Sequence, residues 1–195
     1  GDLIPNFLSD LGFDVVIFDD KQFSQNQLDQ YDAIITGIRA YNTRNELAAF
    51  QKELFKYVEN GGTLISQYNT TAQLILNPGI FPMKISHDRV TDENSTVKIL
   101  NKEHKIFNYP YKISENNFKG WIQERGLYFP NEWDEKYETL LSMNDNGESE
   151  KLSSILYAKY GKGVFIYTGL SFFREIPAGV EGAIKLFINI LHSGI

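Results

Sequence analysis

The chain has 195 residues, 42% of them hydrophobic, which suits one domain with a substantial core. Its formal net charge of −6, with 23% charged residues, argues against a broad surface for nucleic acid or anionic membrane. It has no cysteine, so disulfides, thiolate metal sites and cysteine nucleophiles are excluded together.

No apolar run approaches the ~20 residues that span a bilayer, and no signal peptide is visible. The chain opens on Gly1-Asp2-Leu3-Ile4-Pro5 and reads as part of something longer. Pro5 to Leu11 has the pattern of a short helix stopped by Gly12. Asp14-Val15-Val16-Ile17-Phe18 and Asp32-Ala33-Ile34-Ile35-Thr36 are apolar runs of the kind found in parallel strands covered on both faces. Leu28 to Tyr31 closes a short polar connection between them.

Thr43-Arg44-Asn45-Glu46 has the form of a capping box, and Leu47, Phe50, Leu54, Tyr57 and Val58 follow at helical spacing. Asn60-Gly61-Gly62 ends that helix, and Thr63 to Gln67 is a third buried strand. Strand, helix and strand in this order predict a right-handed crossover and a parallel sheet. The stretch from Tyr68 to Asp134 is broken by Pro78, Pro82, Pro110 and Pro130, with a short strand at Val97 to Leu100. Ser154 to Tyr160 and Gly163 to Thr168 flank a tight Gly161-Lys162-Gly163 hairpin, and Gly182 to Leu191 is a closing helix. With no internal repeat and no low-complexity segment, residues 1–195 read as a single domain.

Several phrases are more specific than their periodicity. Tyr31-Asp32-Ala33-Ile34-Ile35, Tyr57-Val58-Glu59-Asn60-Gly61-Gly62-Thr63-Leu64 and the Gly161-Lys162-Gly163 hairpin running into Tyr167-Thr168-Gly169 resemble the ThuA-like branch of the class I glutamine amidotransferase superfamily. Residues 37–44, 120–126 and 171–180 resemble a narrower group, the C-terminal domain of long bacterial PIG-L (LmbE-like) deacetylases. The resemblance implies a flavodoxin-like, amidotransferase-like α/β fold: a mostly parallel sheet with helices on both faces and a late β-hairpin. It implies an extracytoplasmic protein, periplasmic or secreted, and a strand ahead of the Pro5 helix that is absent here. The zinc motif of the deacetylases has no match, since His87-Asp88 lacks the proline and second aspartate. Where amidotransferases carry their nucleophile, this sequence has Tyr68-Asn69-Thr70.

Ligands of open parallel sheets bind beyond the carboxyl ends of the strands. There the loops 39–44, 68–71 and 171–175 are unusually polar. The chain has five arginines, Arg39, Arg44, Arg89, Arg125 and Arg174, all in connections or at helix starts. Their planar forks suit carboxylates or phosphates, so a crevice built from Arg39, Arg44, Arg125 and Arg174 is the expected site. The competing reading is that Arg125 and Arg174 pair with Glu124, Glu175 or carbonyls and only fix loops. Tyr41, Tyr68, Trp121, Tyr128 and Phe173, with Asn42 and Asn69, would suit a sugar, or else anchor the loops. The stretch His87 to Glu93 fits no defined metal pattern, and no serine sits in a nucleophile elbow.

The expected function is therefore a non-catalytic module, without cofactor, that binds a glycan or small anionic molecule beside a PIG-L-type N-acetyl sugar deacetylase. Its partners would be that ligand and other domains of the same parent chain, with no nucleic acid and no membrane insertion. The alternatives are an interdomain or oligomer docking domain, and a hydrolase of unrecognised chemistry that uses Glu124 or Glu175 as acid or base.

Overall fold

The structure is a computed structural model that describes residues 2–18 and 27–195. In chain order its elements are α1 (Ile4–Asp10), β1 (Ala33–Thr36), α2 (Ala40–Thr43), α3 (Asn45–Glu59), β2 (Thr63–Gln67), β3 (Met83–Val90), β4 (Lys98–Ile99), β5 (Gly126–Trp133), β6 (Glu138–Thr139), β7 (Leu141–Ser142), β8 (Ile155–Tyr160), β9 (Gly163–Thr168), α4 (Phe172–Glu175) and α5 (Glu181–Leu191). Single 3-10 turns lie at Leu28–Gln30, Lys105–Phe107 and Glu115–Phe118.

The runs at Ala33–Thr36, Thr63–Gln67 and Gly163–Thr168 form the centre of a five-stranded sheet in the order β1-β2-β9-β8-β6. β1, β2 and β9 are mutually parallel, β8 runs against β9, and β6 runs against β8. Four of the five strands therefore point the same way, giving a mixed α/β fold with a mostly parallel central sheet. Alternation along each strand divides the core in two. Ile34, Leu64, Phe165 and Tyr167 face α3 through Leu47, Leu54, Tyr57 and Val58. Ile65, Val164, Ile166 and Ile155 face α1 and α5 through Ile4, Leu8, Leu186, Phe187 and Ile190. Each such side chain adds roughly 1.5–3 kcal/mol by leaving water, and helices cover both faces of the sheet as expected.

The hairpin between β8 and β9 also forms as the sequence predicts. Its first glycine is doubly required: Gly161 has φ +58°, and a Cβ there would lie 2.4 Å from the Glu59 carbonyl oxygen.

Three expectations are corrected. Asp14 to Phe18 is not a buried strand: residues 14–17 pair with no strand among the described residues, and Val16 and Ile17 are 50% and 69% exposed. An apolar run becomes a strand only where a neighbour accepts its backbone hydrogen bonds. The polar connection beyond it falls partly on residues 19–26, outside the described residues. The Thr43–Glu46 capping box does not form either. Thr43 ends α2 and donates its hydroxyl to the Arg39 carbonyl at 3.1 Å, and α3 starts after an extended Arg44. Finally, the irregular stretch after Tyr68 contains two eight-residue antiparallel strands, β3 and β5. Three register shifts between them break the alternation that would have shown them in the sequence.

Candidate functional site

The loops that leave the carboxyl ends of β1 and β2 are stitched together. Arg39 takes a left-handed conformation (φ +56°), and its N–H donates to the Tyr68 carbonyl at 2.8 Å. Asn69 Oδ1 accepts from the Tyr41 N–H at 2.9 Å, and Asn69 Nδ2 donates to the Gln67 carbonyl at 3.0 Å. Asn42 donates to the carbonyls of Thr70 and Ala72 and accepts from the Thr70 N–H. These two amides, both buried, are thus committed to the backbone and are not the sugar-binding groups expected of them. Tyr41 is corrected likewise: it is 1% exposed in the α3-facing core, and burial pushes its phenol up to about 12.

A second pair of segments meets across the crevice. Residues 122–126 lead into β5, and α4 follows β9. Arg174 Nε donates to Glu124 Oε1 at 2.8 Å on the outer side. On the inner side, fully buried Glu175 accepts from the Ile122 N–H at 3.0 Å. Burial pushes the Glu175 carboxyl up to about 7, against the pull of that N–H and of the Arg125 guanidinium. Arg125 is 4% exposed. Its terminal nitrogens donate to the carbonyls of Phe118 and Ser95, and it lies 5.9 Å from the Trp121 ring. Arg125 and Glu175 are therefore loop-fixing groups, and Trp121, 3% exposed, is core rather than a stacking face.

What converges at the surface is a chain of contacts: His87 to Tyr128 at 5.9 Å, Tyr128 to Tyr68 at 5.8 Å, Tyr68 to Phe173 at 5.2 Å, and Arg174 over Phe173 at 4.9 Å. Tyr68, held between two rings and 8% exposed, offers no broad face to a sugar. Burial raises its phenol above the ordinary value, while the guanidiniums of Arg39 and Arg174 pull it back. Both arginines thus act electrostatically on one side chain. Arg44 is exposed at the start of α3.

Sequence reasoning missed two contributors. His87 Nε2 lies 3.0 Å from Thr71 Oγ1, placing an imidazole beside Tyr128. Only the pairing of β3 with β5 brings it there. Asp2 accepts from the Gln67 side chain at 2.8 Å and from the Ile38 N–H at 3.4 Å, at the ends of β2 and β1, and nothing in its local sequence marks it. Among the described residues, four non-glycine residues have positive φ: Arg39, Gln73, Gln123 and Tyr128, at +56°, +56°, +62° and +53°. All four lie on the segments bordering the crevice. Each costs of order 1 kcal/mol or more, and such strain concentrates where ligands are handled.

No group of three or more His, Asp or Glu side chains among the described residues is placed to hold a metal ion. At the opposite ends of β1 and β2, a cleft of about 550 Å³ is lined by Asp29, Asp32, Tyr57 and Thr63. Its charged side chains are acidic only. No helix among the described residues is long and apolar enough to cross a membrane.

No protein-family model matches the chain, and no curated protein matches it. Solved structures do. Cytoplasmic protein STM1381 from Salmonella typhimurium LT2 superposes with a TM-score of 0.61 at 16% identity, over 98% of this chain and 86% of its own. Cytoplasmic protein STM3548 from Salmonella typhimurium does so with a TM-score of 0.57 at 13% identity, over 96% and 83%. The likeness is one of fold. Because both neighbours are cytoplasmic proteins, the extracytoplasmic location expected from the family resemblance is overturned. An exo-β-1,4-mannosidase from an Opitutaceae bacterium matches with a TM-score of 0.52 at 17% identity, over 95% of this chain but only 29% of the enzyme.

Proposed function

We propose that this chain is a non-catalytic binding module of the flavodoxin-like, class I glutamine amidotransferase-like kind, which holds a glycan or small anionic molecule at the carboxyl ends of β1 and β2. Its place beside a PIG-L-type deacetylase belongs to the same proposal and rests on the phrases at 37–44, 120–126 and 171–180. The observation that carries the reading is the placement of Tyr68 between the Arg39 turn, whose N–H donates to the Tyr68 carbonyl at 2.8 Å, and Phe173, which Arg174 overlies at 4.9 Å. The four strained backbones around that point favour a built site over an incidental surface. A hydrolase is disfavoured because the two carboxylates offered for acid–base work are committed, Glu124 to Arg174 and Glu175 to the Ile122 N–H. That a mannosidase contains a region of this shape agrees with a setting in sugar metabolism. A docking role is the second reading, favoured by Ile75, Leu76 and Ile122, each 36–39% exposed on the bordering loops.

A thermal-shift screen against N-acetylated sugars, sugar phosphates and small carboxylates tests the binding reading. A ligand at about 100 times its dissociation constant stabilises the fold by about 2.7 kcal/mol. A hit lost in Arg174→Ala supports the module, and a blank across the panel moves the choice to docking.

A further inference from the structure

We infer that the loop 107–113 carries a second binding site, separate from the crevice, for an oligosaccharide of acidic sugars laid across Tyr109 and Tyr111. The inference goes beyond the reading above and stands on its own observations. Three lead to it.

The first is exposure. The chain has 11 tyrosines, 14 phenylalanines and 2 tryptophans. Of those among the described residues, Tyr109 and Tyr111 are the two most exposed, at 51% and 40%. A single exposed apolar residue is ordinary, but two rings two positions apart on one loop form a paired surface.

The second is anchoring. The base of the loop is buried at Phe107 and Ile113, and the Ile113 N–H closes it by donating to the Phe107 carbonyl at 2.8 Å. Fully buried Asn189 of α5 accepts from the Tyr111 N–H at 2.9 Å. It donates to the carbonyls of Tyr111 and Ile106 at 2.7 and 2.8 Å. A buried amide is tolerated when its hydrogen bonds are made, and these bonds hold the backbone that carries the rings. His192 meets the Tyr109 ring edge-on at 6.2 Å. The two rings therefore stand on a fixed support, which lowers the entropy lost when a ligand is bound.

The third is the company the rings keep. Lys105 Nζ lies 5.7 Å from the Tyr109 ring centroid, and Lys185 Nζ lies 5.9 Å from that of Tyr111. Lys112, next in the chain, donates to the Asn108 side chain. Lys185 is paired with Glu181, while Lys105 and Lys112 form no ion pair among the described residues. The core of a protein–protein interface is poor in lysine. Rings interleaved with ammonium groups instead match a chain of uronic acids. There the C–H face of a pyranose lies on a phenol ring while its carboxylate meets an ammonium.

The test is calorimetric titration of the chain with hexagalacturonate, cellohexaose and polyglutamate. Hexagalacturonate is expected to bind, and the neutral sugar and the acidic polypeptide to bind at least about tenfold more weakly. Removing both rings, Tyr109→Ala with Tyr111→Ala, is expected to weaken hexagalacturonate by about tenfold or more. The fold should survive that change, because Asn189 holds the backbone of Tyr111 and not its ring. Lys105→Gln with Lys112→Gln is expected to weaken it about three- to tenfold and to flatten its dependence on salt. Arg174→Ala, in the crevice, is expected to leave it unchanged. Binding that survives the loss of both rings, or that disappears in Arg174→Ala, overturns the platform. Cellohexaose binding as tightly as hexagalacturonate overturns the acidic ligand. Polyglutamate binding as tightly overturns the saccharide in favour of an acidic polypeptide, and no binding by any of the three overturns the site.

Discussion

Arg174 gives its Nε to Glu124 at 2.8 Å, while the next residue, Glu175, turns inward to accept from the Ile122 N–H at 3.0 Å. Two consecutive residues of α4 thus grip the 122–126 segment from both sides. The outer contact is part-exposed and screened, so Arg174→Ala should cost no more than ~1 kcal/mol. The inner one leaves a buried N–H without its acceptor and empties a buried site, so Glu175→Ala should cost more, ~1–3 kcal/mol. Urea denaturation of the two variants checks the order, and equal losses would contradict it.

The same buried carboxyl sets a pH dependence. Glu175 titrates near 7 in the folded protein, against an ordinary value of 4.5. Between those values the folded state holds a proton that the unfolded state has released. The stability this group contributes is full below about pH 4.5 and is lost as pH rises towards 7, by at most ~1.4 kcal/mol per pH unit. Glu175→Gln should flatten that part of the curve. Denaturation midpoints at pH 5 and pH 8 decide it, and an unchanged slope would show that Glu175 is not the titrating group.

Asn42 is the hub between the Arg39 turn and the loop after β2, with one bond to each of the Thr70 N–H, the Thr70 carbonyl and the Ala72 carbonyl. Asn42→Ala should destabilise the chain by ~1–3 kcal/mol and speed amide exchange across residues 68–76 ahead of the sheet. Exchange rising uniformly instead would show that the loop has no independent anchor.

Gly163 opens β9 against the end of α3, where a Cβ would lie 2.2 Å from the Val58 carbonyl oxygen and 2.3 Å from that of Gly62. Backbone on two sides cannot yield, so Gly163→Ala should cost at least ~1–3 kcal/mol. Gly120→Ala, where nothing lies within 4 Å, isolates the cost of positive φ alone and should be the milder change in a thermal melt.

The central sheet was legible because β1, β2 and β9 are short apolar runs covered on both faces, and their helices carry 3.6-residue spacing. The run at 14–18 looked the same, and what distinguishes it is the exposure of Val16 and Ile17. At the site, Arg39 and Arg174 were legible from topology, since both follow strands at one end of the sheet. Arg125 and Glu175 were not. Each sits next to a crevice residue, and whether a charged side chain turns outward or in depends on the carbonyls and N–H groups waiting inside. His87 was hidden for a further reason: the bulges that join β3 to β5 leave no pattern in either strand alone.

The sheet is finished off at β6 by two residues, Glu138 and Thr139, paired with Tyr157 and Leu156. Asn101 donates to the Glu138 carboxylate at 2.7 Å, and His104 stands 3.8 Å from it. A border so short, carrying an acid and covered by side chains from another segment, gives a passing strand almost nothing to zip onto. At that margin the protein defends itself against fibrous self-association through the shape of its own edge.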